Sequence, residues 1–115
     1  MLFTLPLPVP TNEAYKVGRG HFYKSKEAKE WDEEAGYALL PQWKHRTMLE
    51  DRVYVCMAFF YPDERKDIDG GIKSVLDLLQ RMRVVKNDRQ VKHLVIQSLI
   101  DKKKPRLEVE IAPLS

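Results

Sequence analysis

The chain has 115 residues, of which 43% are hydrophobic and 32% charged, which suits one well-solvated domain with a buried core. A single cysteine, Cys56, excludes an internal disulfide framework, so we expect a reducing compartment and place the protein in the cytoplasm. We expect no signal peptide, because the apolar start contains prolines and lacks a basic leader. We expect no membrane span, because no apolar run is long enough.

The first half of the chain predicts an edge strand, a loop and a helix. Residues 1–8 hold strand formers, but their prolines confine them to a sheet edge or a lead-in. Residues 9–20 contain turn formers and predict a loop, and His21–Lys24 predicts a short strand. Ser25 is a good N-cap, and apolar residues follow it at helical spacing, namely Ala28, Trp31, Ala35 and Leu39. Pro41 interrupts this helix, which could continue, kinked or restarted, to about Leu49.

The second half predicts a central strand, a second helix and two more strands. The strand Arg52–Tyr61 is apolar on both faces, as a strand inside a sheet should be. An amphipathic helix follows, with Ile68, Ile72, Val75, Leu76 and Leu79 on one stripe. The strands Val91–Ile100 and Leu107–Ala112 are joined by the short link Asp101–Pro105, which predicts a hairpin. We therefore expect one α+β domain over residues 1–115, with a mixed sheet and two main helices.

Four polar residues in this half could form one site. Asp67 and Asp69 stand at the predicted start of the second helix, where they could bind a divalent cation or cap the helix. Lys73 follows Asp69 by one turn and could grip a phosphate or form an exposed i, i+4 ion pair. Asp77 faces the same side as Lys73, and we expect it to form a supporting ion pair and not to bind metal. Asp88 lies in a loop that could be an ordinary polar turn. If the strand after that loop lies beside the central strand, the three carboxylates and the lysine would converge.

Basic residues gather near Asp88. Residues 1–50 carry seven basic and seven acidic side chains, whereas residues 51–115 carry thirteen basic and ten acidic ones, so the net charge of +3 arises in the second part. Arg81, Arg83, Lys86, Arg89 and Lys92 surround Asp88 in the sequence. Such a cluster attracts phosphate, although a solvated helix end and loop would explain it equally well.

Several motifs resemble the RusA family of Holliday junction resolvases. The run from Asp67 to Lys73, DIDGGIK, is similar to the family's D-x-D-N-x-x-K pattern, and Asn87–Gln90, NDRQ, is similar to its D-D-x-Q turn. The opening resembles the family as well, with Leu5–Pro8 and then Arg19–Ser25 ahead of a helix. The resemblance covers nearly the whole chain.

The resemblance implies an α+β homodimer that nicks two strands of a four-way DNA junction symmetrically, using Mg²⁺ or Mn²⁺. It makes Asp67, Asp69 and Asp88 the metal ligands and puts Lys73 at the scissile phosphate. Relatives of this kind are often encoded by bacteriophages or prophages. The residues expected to contact DNA, from the resemblance and from the charge pattern, are Arg19, Lys24, Lys66, Lys73, Arg81, Arg83, Lys86 and Arg89.

Two positions depart from the family pattern: Gly70 replaces its asparagine, and Asn87 replaces the first aspartate of its later pair. A second hypothesis is therefore a catalytically impaired protein that binds branched DNA without cutting it. A third is a protein-interaction module, for which the basic cluster and the acids would be coincidental.

Overall fold

A computed structural model describes residues 1–9, 15–18, 21–43, 46–64 and 71–114. Within these ranges it contains two helices, α1 (Lys26–Trp43) and α2 (Ile72–Arg81), with Asp88–Gln90 forming a turn of 3₁₀ helix. The strands, in chain order, are β1 (Leu2–Leu5), β2 (Tyr15–Gly18), β3 (His21–Lys24), β4 (Val53–Tyr61), β5 (Val91–Ile100) and β6 (Arg106–Pro113). The fold is α+β with a mixed sheet and two main helices, as the sequence predicts.

Helix α1 begins where the sequence places it and ends earlier than expected. The Ser25 hydroxyl accepts a hydrogen bond from the Ala28 backbone N–H at 3.1 Å, which confirms the N-cap. Pro41 lies inside the last turn of the helix, which ends at Trp43. The predicted continuation to about Leu49 is wrong for the described residues 46–49, because Leu49 instead forms an isolated parallel bridge with Val85.

The main sheet has the strand order β1-β6-β4-β5, which confirms β4 as an interior strand. The predicted hairpin between β5 and β6 is wrong, because β4 lies between them, parallel to β5 and antiparallel to β6. The link Asp101–Pro105 crosses the end of β4, where the Asp101 N–H donates to the Tyr61 carbonyl at 2.8 Å. Two strand spacings amount to about 10 Å, which five residues span easily, so a short link did not require direct pairing.

The N-terminal segment forms the second edge of this sheet and a separate hairpin. Strand β1 pairs only with β6 among the described strands, which confirms the predicted edge position. The sequence predicts a loop that includes residues 15–18, but these residues pair with β3 in antiparallel register, from Tyr15 opposite Lys24 to Gly18 opposite His21. Gly18 is therefore the last residue of a strand, and a four-residue strand that ends in a turn former is too short to be recognised from sequence.

The core lies between the helices and one face of the sheet. Every second residue of β4, from Val53 to Tyr61, is buried, and the residues between them are half-buried on the opposite face. Cys56 is one of the half-buried residues and forms no disulfide. Helix α2 contributes Val75, Leu78 and Leu79 to the core. Among the described residues, no helix is long and apolar enough to cross a membrane.

Candidate active site

The loop that carries Asp88 is built by amide side chains. The Gln90 side-chain oxygen accepts hydrogen bonds from the backbone N–H groups of Lys86 and Asn87, both at 2.8 Å. The Gln90 side-chain nitrogen donates to the carbonyls of Leu49 at 2.9 Å and Asp51 at 2.8 Å. A single side chain therefore joins the two halves of the loop and fastens both to the segment that precedes β4.

Asn87 completes the loop as the cap of the 3₁₀ turn. Its Oδ1 accepts from the Arg89 backbone N–H at 2.8 Å and from the Arg89 Nε at 3.2 Å. Together with Gln90 it forms a capping box, in which the side chains at both ends of the turn satisfy backbone donors. An aspartate, which the family pattern has at this position, would offer the same acceptor, so Asn87 preserves the structure of the turn.

Asp88 is held by its backbone and leaves its carboxylate open. Its N–H donates to the Gln80 side-chain oxygen at 3.2 Å, which ties the loop to the end of α2. The residue is exposed, and within the described part of the chain no group hydrogen-bonds its carboxylate. A fixed carboxylate with free oxygens is a donor that Mg²⁺ or Mn²⁺ prefers, so Asp88 fits the metal role that the resemblance implies.

Asp67, Asp69 and Lys66 lie outside the described residues. The residues that border them are Glu64, just after β4, and Gly71, just before α2. Within the described ranges, no three His, Cys, Asp or Glu side chains come together in a metal-binding arrangement. The structure thus tests the metal fit at Asp88 alone.

Lys73 lies in the first turn of α2. Its Nζ is 3.7 Å from the Asp77 Oδ2, which confirms the predicted supporting ion pair. Its side chain is 58% exposed, so the ammonium group remains accessible to a phosphate. The pair alone is a weak interaction, because exposed i, i+4 ion pairs contribute about 0.3–0.5 kcal/mol.

Lys73 and Asp88 lie at opposite ends of α2. The strand after the loop does lie beside β4, as the convergence hypothesis required, but the two strands are parallel and Val91 stands next to Val53. Asp88 is therefore near the start of β4, whereas α2 begins beyond its end. Lys73 lies seven positions before Gln80, the partner of Asp88, which corresponds to about 10 Å along the helix axis. The lysine and this carboxylate do not converge within one chain.

The predicted DNA-contacting residues have different environments in the structure. Arg83, Lys86, Arg89 and Lys92, all within five positions of Asp88 in the sequence, are exposed. Arg81 is tied to α1: its Nε lies 2.8 Å from the Asp32 Oδ2, and its Nη2 donates to the Asp32 carbonyl at 2.9 Å. Lys24 is half-buried at the end of β3, and Arg19 lies outside the described residues.

Comparison with known proteins identifies the family. The family model of the endodeoxyribonuclease RusA matches residues 6–112, which is nearly the whole chain. The chain belongs to the RusA family. Among its relatives is a crossover junction endodeoxyribonuclease RusA from Aquifex aeolicus (strain VF5), 28% identical over 114 residues that cover 97% of this chain and 90% of the relative.

Two residues of this RusA-family chain were given no role from sequence: Gln90, although it belongs to the NDRQ motif, and Gln80. The signal for Gln90 was present, because Asn followed three residues later by Gln is the pattern of a capping box. Gln80 had no such signal. Its contact with Asp88 depends on how the end of α2 meets the loop, which local sequence does not specify.

Proposed function

We propose that this protein is a Mg²⁺-dependent endonuclease that resolves four-way DNA junctions by paired symmetric nicks and acts as a homodimer. Membership of an endodeoxyribonuclease family supports the nuclease class. The observation that carries the site is Asp88, whose backbone N–H is held by Gln80 while its carboxylate is open, in a stretch of sequence whose basic side chains are exposed.

In this proposal each group has a separate task. Asp67, Asp69 and Asp88 hold the metal, which when bound supplies an activated water and neutralises charge on the scissile phosphate. Lys73 contacts that phosphate, where its positive charge stabilises the charge that develops during hydrolysis. Arg83, Lys86 and Arg89 bind neighbouring phosphates and orient the junction.

A protein that binds junctions without cutting them is the less favoured function. That hypothesis depended partly on Asn87 as a mark of lost catalysis. In the structure, Asn87 caps the turn that carries Asp88, with its Oδ1 2.8 Å from the Arg89 N–H. The asparagine therefore maintains the turn that carries Asp88, which supports an intact site.

The separation of Lys73 from Asp88 supports a homodimer. If the catalytic groups lie at opposite ends of α2 in one chain, a second copy related by two-fold symmetry can supply the missing end to each site. Each active site would then combine the segment before α2 of one protomer with the Asp88 loop of its partner. A four-way junction has paired strands related by a two-fold axis, and a dimer with two such sites matches it.

Strand β5 offers the surface for this assembly. It is an edge of the main sheet, and within the described part of the chain no strand pairs with its outer side. From Leu94 to Ile100 it carries no charged residue, and Leu94, Leu99 and Ile100 are exposed. An open apolar edge favours pairing with another strand. Antiparallel pairing of two β5 strands would put the start of one, next to Asp88, beside the end of the other.

Cleavage of a synthetic four-way junction in Mg²⁺ tests the activity. We expect the natural protein to nick opposite strands, and Asp69→Asn and Asp88→Asn to lower the rate by 10³-fold or more, on the order of the loss when a group essential to catalysis is removed. Undiminished cutting by either variant would remove that residue from the site. Tight junction binding by the natural protein with no nicking at any Mg²⁺ or Mn²⁺ concentration would establish the binding function instead.

Mixing the two inactive variants tests the shared site. If each site combines Asp69 of one protomer with Asp88 of its partner, a mixed dimer of Asp69→Asn and Asp88→Asn retains one intact site and nicks one strand. If each site lies within one chain, both sites in the mixed dimer stay inactive. The control is each variant refolded alone, which should remain inactive under either arrangement.

A further inference from the structure

The Gln90 side chain uses its full hydrogen-bonding capacity on backbone groups from two parts of the chain. Its oxygen accepts from Lys86 and Asn87, inside the loop, and its nitrogen donates to Leu49 and Asp51, about forty residues earlier. All four distances lie between 2.8 and 2.9 Å, within the normal range for such bonds. An amide has two donors and two acceptor sites, and here none is left over.

From this network we infer that Gln90 is a positioning residue for the Asp88 carboxylate. The inference rests on the proposed function, since it takes Asp88 as a metal ligand. Asp88 lies two residues before Gln90 in the same turn, so the bonds of Gln90 determine where the Asp88 backbone lies relative to β4. Gln90 itself neither binds metal nor touches DNA in this role.

A second bond restrains Asp88 from the other side. The Gln80 oxygen accepts from the Asp88 N–H at 3.2 Å, which relates the carboxylate to the end of α2. The loop is also joined to the same early segment by the Leu49 N–H, which donates to the Val84 carbonyl at 2.9 Å. Asp88 is therefore located by α2 and by the segment before β4, and Gln90 makes most of the side-chain bonds involved.

The position of the Asp88 carboxylate matters because the affinity of a site for metal depends on ligands that are already correctly placed before the metal binds. Some residues orient a metal ligand without binding the metal themselves. Replacing such a residue typically lowers metal affinity or activity by about 10–100-fold. Loss of the Gln90 bonds should therefore weaken metal binding even when the carboxylate itself is intact. A purely structural role would lower stability without a specific effect on the metal.

The chain contains a matched control in Gln42. Its Nε2 donates to the carbonyls of Thr4 at 2.9 Å and Ala38 at 2.7 Å, and its Oε1 accepts from the Thr4 N–H at 2.8 Å. Gln42 thus fastens α1 to β1 in the way that Gln90 fastens the Asp88 loop to the segment before β4. Thr4 lies on the opposite edge strand of the sheet, far from Asp88.

The test compares Gln90→Glu with Gln42→Glu, since glutamate has the same shape and keeps the acceptors but loses the donors. Mn²⁺ is titrated calorimetrically into the full-length apoprotein without DNA, and the melting temperature is recorded without metal. We expect both variants to melt at similarly lowered temperatures. Mn²⁺ affinity should fall about 10–100-fold in Gln90→Glu and stay within about twofold in Gln42→Glu. Gln80→Met removes the second bond at an exposed position and should weaken Mn²⁺ binding by about 10-fold, the lower end of that range.

The outcomes separate this inference from the proposed function. Wild-type Mn²⁺ affinity in Gln90→Glu, or equal weakening in Gln42→Glu, would overturn the positioning role while leaving the nuclease proposal in place. If Gln90→Glu does not fold, unchanged Mn²⁺ affinity in Gln80→Met would overturn the view that backbone restraint of Asp88 governs the site. Both the positioning role of Gln90 and the proposed metal site require that Asp88→Asn loses Mn²⁺ binding. Normal Mn²⁺ binding by that variant would reject the proposed site itself.

Discussion

The two ends of α2 use the same unusual backbone conformation in different ways. Gly71 precedes the helix with φ of 100°, and Arg83 follows it with φ of 63°. Both values lie in the left-handed region, which costs a residue with a side chain about 1–2 kcal/mol. At the first end the residue is glycine, and at the second an arginine adopts the strained conformation.

Packing explains why glycine is needed at the first end. A Cβ on Gly71 would lie 2.5 Å from the Val9 carbonyl oxygen and 2.9 Å from Pro8. At the other end, Arg83 follows the C-cap Met82, and the Val84 N–H closes the helix by bonding to the Leu79 carbonyl at 2.9 Å. Glycine is the usual residue at such a position, whereas here an exposed arginine adopts it.

The largest effect is expected from Gly71→Ala. The backbone strain alone should lower the free energy of unfolding by about 1–2 kcal/mol. The collision with Val9 adds to this, because a backbone oxygen cannot move aside as a flexible side chain can. The measurement is urea unfolding followed by circular dichroism, with junction cleavage as a second readout, since α2 carries Lys73.

Gly36→Ala is the matched control for that substitution. A Cβ on Gly36 would lie 2.6 Å from the Arg81 Nη2, which is the movable end of a long side chain. Gly36 lies within α1, where alanine is favoured over glycine by about 1 kcal/mol. We expect a net change close to zero. A loss as large as that of Gly71→Ala would contradict the steric account of the first end.

Arg83→Gly should raise stability and weaken DNA binding together. Relief of the left-handed strain should increase the free energy of unfolding by about 1 kcal/mol. If the arginine contacts a phosphate, the slope of log affinity against log salt concentration should decrease by about one. Fluorescence anisotropy with a labelled four-way junction at several salt concentrations measures this slope. An unchanged slope would leave the strained arginine without a DNA role.

Arg81→Ala should show the opposite pattern at the same end of α2. The Arg81 guanidinium binds both the side-chain carboxylate and the backbone carbonyl of Asp32, so Arg81 joins the two helices. Its removal should lower the free energy of unfolding by about 1 kcal/mol, the upper part of the range for partly exposed pairs. The salt slope of junction binding should stay unchanged. A slope that decreases by about one would restore Arg81 to the DNA-contacting residues.

The sequence predicted local elements well and their assembly less well. Ser25 as a cap, β4 as an interior strand and the Lys73–Asp77 pair follow from periodicity and spacing over a few residues, and the structure confirms them. The β5–β6 hairpin was wrong because strand order depends on long-range pairing, which a five-residue link does not determine. For the same reason, the sequence did not predict that Lys73 and Asp88 lie at opposite ends of α2. Only the parallel register of β4 and β5 fixes which end of the sheet Asp88 occupies.

The smallest effect is expected from a substitution of Asp101 in the link between β5 and β6. This link lies at the end of the sheet where α2 begins, and it is held by charge instead of steric fit. Backbone N–H groups of Lys104 and Lys103 and the Arg106 guanidinium lower the pKa of Asp101 below its ordinary value of 3.8. Because the folded state favours the ionised carboxylate, its stabilising effect is present above pH 3.8 and is lost as pH falls through the lower folded pKa. Asp101→Asn should therefore melt slightly below the natural protein at pH 7, and the difference should shrink towards pH 3. A difference that does not change with pH would mean that the link is held by the hydrogen bonds that asparagine retains.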